Sequence, residues 1–294
     1  MLSRAPNETI AIMYIGNSGA GKSTLLNKLG GDFVAGVSWR KGVTQSVSEQ
    51  WVNIKGESVL LIDVPGLFEP KDEDTKNNAR MLTEALRRGY RYNLTFVLKA
   101  SNRGFEAADL LMMSKVNEYV RGLDGSKVTY KMIINQIMDD AVYNMYNETV
   151  VKDNFKSQFA ELEKEGYHFD IKINSVLLLR HHQDFVRKGT SKELEEFEYN
   201  WRRMASIQVK EDIFASIKEL STFETVLGTL FAFTYAAVLG AGTVVVSRTP
   251  RASQGAILTR AAIAYGGVSL GASAIVVGGY GAYGAFLLFK RIRE

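Results

Sequence analysis

The chain has 294 residues, 46% of them hydrophobic and 23% charged, a folded composition large enough for one large domain or two smaller ones. It contains no cysteine, which excludes disulfides, thiolate metal sites and cysteine nucleophiles. Its three histidines, His168, His181 and His182, are too few and too badly spaced for a zinc site and read as surface positions. The net charge of +4 resides wholly in the residues from Thr222 onward, so it is no argument for a nucleic-acid partner and instead directs the C-terminal segment toward anionic lipid.

The N-terminus has no apolar core long enough for a signal peptide. The glycosylation-type triplets at Asn7, Asn93 and Asn147 are read as unmodified, as befits a cytosolic domain. Residues 10–15 form an apolar run that predicts a buried strand, and residues 24–29 predict the first turns of a helix. Between them stand Gly16, Asn17, Ser18, Gly19, Ala20, Gly21, Lys22 and Ser23, followed by Thr24. This is the pattern G-x-x-x-x-G-K-[ST] in its strand–loop–helix setting. Its glycines let backbone N–H groups curl toward phosphate oxygens. Lys22 is placed to reach the β- and γ-phosphates, and Ser23 to ligate Mg²⁺.

Residues 30–42 are polar and loop-like. Residues 46–54 alternate roughly, and residues 58–64 are strongly apolar. The second of these runs ends in Asp63-Val64-Pro65-Gly66, a D-x-x-G element that begins 40 residues after Ser23. In P-loop GTPases this Asp holds Mg²⁺ and the Gly amide meets the γ-phosphate. Thr44 lies between the two motifs and is assigned as a further Mg²⁺ ligand through its hydroxyl. Lys22, Thr44 and Gly66 are therefore the candidate groups acting on the γ-phosphate, and Ser23, Thr44 and Asp63 the candidate metal set. Leu67 stands where Ras-like enzymes carry a water-orienting Gln, so intrinsic hydrolysis should be slow unless another residue, such as one from a dimer partner, supplies that group. Arg40, Lys41 and Glu69 are read as solvated loop charges.

Residues 72–88 predict a helix, 94–99 a strand, 107–120 a helix, 131–135 a short strand, 149–165 a helix stopped by Gly166, and 171–179 a last strand. The order predicts an α/β fold, a P-loop NTPase three-layer sandwich with a mostly parallel sheet, over residues 1–183. After the strand at 131–135, GTPases usually carry N-K-x-D, whose Asp reads guanine. Here Asn135 fits the first position, Gln136 replaces Lys, and Asp139 (with Asp140 behind it) comes one residue late. Asn135 and Asp139 are the candidate base-side residues, and a P-loop ATPase stays open as an alternative.

Residues 184–221 read as a helical extension, with Thr190 and Glu193 as a capping box and Leu194, Phe197, Trp201 and Met204 at helical spacing. Ile213, Ile217 and Leu220 continue its apolar side. Residues 225–247 and 261–289 are uncharged stretches of 23 and 29 residues joined by a 13-residue link. Each exceeds the roughly 20 residues needed to cross a bilayer, and Gly267 and Gly271 permit close helix approach. Residues 222–294 are therefore expected to form a membrane-associated hydrophobic helical hairpin, spanning or re-entrant, with a buried soluble hairpin as the alternative.

The chain resembles the immune-associated nucleotide-binding GTPases, also called GIMAP or AIG-type proteins. The resemblance rests on Leu29-Gly30-Gly31-Asp32-Phe33, Gly42-Val43-Thr44, Asp63-Val64-Pro65-Gly66-Leu67-Phe68, and the stretch 96–105 followed by Asp109. It covers about residues 8–180. Septins and chloroplast-import GTPases belong to the same broad group. The resemblance implies a G domain that binds GTP and GDP with Mg²⁺ and forms a nucleotide-dependent homodimer; some members have hydrophobic C-terminal tails. The expected protein is a membrane-anchored GTP-binding switch or assembly GTPase with its G domain facing the cytoplasm. A non-enzymatic nucleotide-dependent scaffold is the rival.

Overall fold

The computed structural model describes residues 5–36, 43–99, 105–137, 160, 162–180, 191–199 and 204–238. Its strands are β1 (Ile10–Ile15), β2 (Ser48–Ile54), β3 (Glu57–Asp63), β4 (Arg91–Lys99), β5 (Val120–Gly122), β6 (Thr129–Ile137), β7 (Lys172–Arg180) and β8 (Ala205–Val209). The helices are α1 (Lys22–Lys28), α2 (Asp72–Leu86), α3 (Ala107–Tyr119), α4 (Lys192–Glu198) and α5 (Ile217–Val238). The main sheet runs β2-β3-β1-β4-β6-β7. Only β2 is antiparallel within that path, pairing with β3 so that Ser48 faces Asp63 and Ile54 faces Glu57. The remaining pairs are parallel, so the α/β, mostly parallel architecture expected from the sequence is present.

The central strands are apolar because both faces are covered. Every residue of β1 after Ile10 is buried, as are the last five of β3. One face packs Ile12, Tyr14 and Leu61 against Leu25, Leu26 and Leu29, together with Leu194 from α4. Two compact units are distinguished: Met1–Ser101 with Phe105–Ser221, and Asn102–Gly104 with Thr222–Glu294.

Several boundaries differ from the sequence reading. β4 begins at Arg91 rather than 94, because Tyr92 and Asn93 are buried with the strand. α3 stops at Tyr119, and Val120–Gly122 forms the short strand β5. The segment expected to be helical throughout 184–221 contributes α4 and then β8, which pairs antiparallel with β4 and β5. Ile207 and Val209 are buried in period-two alternation, a strand signal that the helical spacing of the preceding apolar residues obscured. The helix cap is Ser191 rather than Thr190: the Ser191 hydroxyl accepts the Leu194 N–H. Most of the helix expected at 149–165 lies outside the described residues, as do Trp201 and residues 239–294.

α4 is tied down by its last residue. Glu198 is fully buried and sits among the polar groups of three strands. It accepts from Tyr14 Oη at 3.1 Å, Asn93 Nδ2 at 2.5 Å, Thr95 Oγ1 at 3.2 Å and Lys131 Nζ at 3.1 Å. The segment after β8 is fastened to α2, where Ile213 N donates to Thr83 Oγ1 at 3.0 Å and Ile217 N donates to Asp72 Oδ1 at 2.8 Å. Among the described residues, no helix is long and apolar enough to cross a membrane.

Candidate functional site

The loop from Gly16 to Gly21 joins β1 to α1, and its curl depends on glycine at two kinds of position. Gly19 and Gly21 take left-handed φ angles of 79° and 92°. Gly16 instead marks a close approach, because a Cβ there would collide with the Val97 carbonyl of β4. The loop is braced from β6 by Asn135, whose Nδ2 donates to Ala20 O at 2.9 Å, and by Gln136, whose Nε2 donates to Gly19 O at 2.8 Å. Gln136 reaches this carbonyl from a left-handed backbone with φ 62°. The sequence shows only that Gln136 departs from the usual Lys; nothing in its pattern reveals this brace. Asp139 and Asp140, and with them the base-reading expectation, lie outside the described residues, as do Arg40 and Lys41.

Lys22 opens α1 and is 6% exposed. Its Nζ donates to Gly16 O at 2.9 Å and Asn17 O at 3.2 Å, so the ammonium is held over the loop. Burial lowers its pKa, opposed by the charges of Asp63, Asp109 and Glu69. Thr24 is half-buried one position beyond Ser23.

The three residues assigned to the metal meet. Ser23 Oγ donates to Asp63 Oδ2 at 2.6 Å, Thr44 Oγ1 donates to the same oxygen at 3.1 Å, and the two hydroxyls are 3.1 Å apart. Asp63 Oδ1 is buried and has no hydrogen-bond partner among the described residues. Burial pushes the Asp63 carboxyl up, against the hydrogen bond from Ser23, the charge of Lys22 and the hydrogen bond from Thr44. A carboxylate with one unsatisfied oxygen beside two hydroxyls is a hard-oxygen donor set that fits Mg²⁺. Ser23, Thr44 and Asp63 would hold the ion, which supplies charge neutralisation for the phosphoryl oxygens when bound.

Gly66 packs on the phosphate loop so closely that a Cβ would strike the Ser18 amide. Its carbonyl accepts from Asn78 Nδ2 of α2 at 2.6 Å. Leu67 is 2% exposed and aliphatic, with no group to orient water. Glu69 was expected to be a solvated loop charge but is only 9% exposed. The α2 N-terminus folds over it, and Thr75 Oγ1 bonds both its N–H and its carbonyl.

Sequence reasoning placed Asn17 in the phosphate loop but did not join its side chain to Asp109 or to the loop after Gly66. Asn17 Nδ2 donates to Asp109 Oδ1 at 2.9 Å, and Asn17 Oδ1 accepts from Phe68 N at 3.1 Å. Asp109 lies in the first turn of α3, and its carboxyl is pushed up to about 7. Burial is the main cause and Glu106 adds to it; the Asn17 hydrogen bond, the Lys99 backbone and the Lys22 charge pull it down. The folded value lies above the unfolded one near 3.9. The native state therefore holds the proton more tightly, and the Asp109 contribution to stability falls as pH rises through about 4 to 7 and is level above that. Asp109→Asn is expected to gain in urea midpoint relative to the wild type between pH 5 and pH 8. A difference independent of pH would contradict the burial argument.

Residues 11–136 match the family model described as 50S ribosome-binding GTPase. GTPase Era of Rickettsia akari is 36% identical over 78 residues, 26% of this chain and 27% of its own length. Ribosome biogenesis GTPase A of Bacillus pumilus is 40% identical over 72 residues, 24% of each chain. The chain thus spans about a quarter of the length of these curated relatives. Among solved structures, Era in complex with MgGDPNP and nucleotides of 16S ribosomal RNA aligns over 81% of this chain and 70% of its own, at 16% identity and a TM-score of 0.43. Toc33 of Arabidopsis thaliana in complex with GDP and Mg²⁺ aligns over 69% and 88%, at 15% identity and a TM-score of 0.43. The family model over residues 11–136 and these curated relatives are GTPases.

Proposed function

We propose that this P-loop GTPase domain, which includes the matched residues 11–136, hydrolyses GTP slowly and works as a nucleotide-dependent switch or assembly module anchored to a membrane through residues 222–294. The observation that carries the reading is the convergence of Ser23 and Thr44 on Asp63, which retains an unsatisfied buried oxygen, beside the Lys22 ammonium. In this reading Lys22 offsets negative charge between the β- and γ-phosphates, and the Gly66 amide meets the γ-phosphate. Guanine is read from the side of Asn135 and Asp139. Leu67 orients no water, so the missing group comes from a second copy of the chain, in a homodimer formed in the triphosphate state.

Single-turnover GTP hydrolysis at low and high protein concentration tests this. The rate is expected to be slow when dilute and to rise with concentration. A rate independent of concentration would remove the dimer. Undetectable hydrolysis with intact GTP binding would leave the non-enzymatic scaffold, and equal GTP and ATP affinities would favour an ATPase.

The membrane part rests on the sequence, in the uncharged stretches 225–247 and 261–289. The cations Lys290, Arg291 and Arg293 that follow suit the cytosolic side together with the G domain. Full-length protein recovered in the soluble fraction after a carbonate wash would overturn it. Protease protection of an epitope at Ser253 would mark a full crossing over a re-entrant hairpin.

A further inference from the structure

We infer that Asp109 is a positioning residue which, through the side chain of Asn17, holds the loop after Gly66 in register on the phosphate loop and so favours GTP over GDP. The inference rests on the GTPase reading of the site. Both polar atoms of the Asn17 side chain are used, Nδ2 toward Asp109 Oδ1 at 2.9 Å and Oδ1 toward the Phe68 N–H at 3.1 Å. A flipped amide would set its NH₂ against the Phe68 N–H and its carbonyl oxygen against the carboxylate, two repulsive contacts. Only an acceptor at position 109 makes the observed orientation the favourable one. Asp109 is 2% exposed, so it acts on the site from inside the protein.

The three residues belong to separate parts of the chain. Asn17 is in the phosphate loop, Asp109 stands 92 residues later in α3, and Phe68 stands 51 residues after Asn17 in the loop that contains Gly66. That loop meets only the γ-phosphate in P-loop GTPases. A loop already fastened at Phe68 has less freedom to lose when the γ-phosphate arrives, which strengthens GTP binding and leaves GDP binding alone. The buried carboxylate also costs the fold stability above neutral pH, as its raised pKa indicates.

The test measures the Kd of a non-hydrolysable GTP analogue and of GDP for the full-length chain and its variants. Asp109→Ala is expected to weaken the GTP analogue about tenfold and to leave GDP within about threefold. Asp109→Asn, which keeps an acceptor for Asn17, should restore the analogue to within about threefold of the wild type. Adding Asn17→Ala to Asp109→Ala should cost nothing further, because both act through one contact. Should Asp109→Ala fail to fold, Asp109→Ser, too short to reach Asn17, takes its place. Equal weakening of GDP and analogue, failure of Asn to rescue, or wild-type binding by Asp109→Ala would each overturn the positioning role. A wild-type chain that does not bind the GTP analogue would overturn the GTPase reading instead.

Discussion

Lys22→Ala is expected to abolish tight binding of both GTP and GDP. Lys22 is 6% exposed, and its ammonium is held over the loop by Gly16 O and Asn17 O, where the proposed function places the β- and γ-phosphates. Two charge-assisted contacts of about 2 kcal/mol each are lost with it. The sum of about 4 kcal/mol corresponds to roughly a thousandfold in Kd. Fluorescence titration with a labelled GTP analogue reads the loss, and circular dichroism checks that the fold is retained. Binding at wild-type strength would remove Lys22 from the site. Ser23→Asn makes the companion variant: it breaks the Ser23–Asp63 contact, and its loss of affinity should fall on the magnesium-dependent fraction.

Glu198→Ala should be the most destabilising single substitution tested in the G domain. The carboxylate serves Tyr14, Asn93, Thr95 and Lys131, and Lys131 is itself 3% exposed in its side chain. Removing it leaves the buried Lys131 ammonium without its counter-charge, though still bonded to Phe197 O, which costs about 3–5 kcal/mol, a large fraction of the roughly 5–15 kcal/mol that holds a domain together. Urea denaturation should show a much lower midpoint. Lys131→Met in the same chain should recover part of the loss, since it removes the stranded charge. A loss of unfolding free energy of less than about 1 kcal/mol in the single variant would mean that water reaches Lys131 when α4 is disturbed.

How much of this was legible in the sequence depended on how local each feature is. β1, the phosphate loop and the start of α1 are contiguous, so Ile10–Ile15 and the Gly16–Ser23 pattern could be read directly. Asp63 was found by its D-x-x-G motif and its distance from Ser23, and Thr44 by its place between the two motifs; the structure brings both to the Ser23 hydroxyl. The Asn17–Asp109 pair was not legible, because its partners are 92 residues apart and join only when α3 packs beside the phosphate loop. The Lys131–Glu198 pair lay hidden for the same reason, its partners standing 67 residues apart. β8 offered a signal in the alternation of Ile207 and Val209, but five residues are too few to outweigh the helical spacing before them.

Glu198 also sets an order of events during synthesis. It lies 67 residues after its partner Lys131. At about 5–20 residues per second, the ribosome takes roughly 3–13 s to make that interval. During those seconds β1, β4 and β6 exist without the carboxylate that neutralises their shared polar patch, and Leu194 has not yet arrived to close the face over Leu25 and Leu26. The nascent sheet is therefore open to water and to chaperones on one side until residue 198 has left the exit tunnel. The uncharged stretch that begins at 225 follows 27 residues behind. Completion of the nucleotide-binding fold and emergence of the apolar segment are thus close neighbours in time, and a pause in translation between them would favour the folded domain.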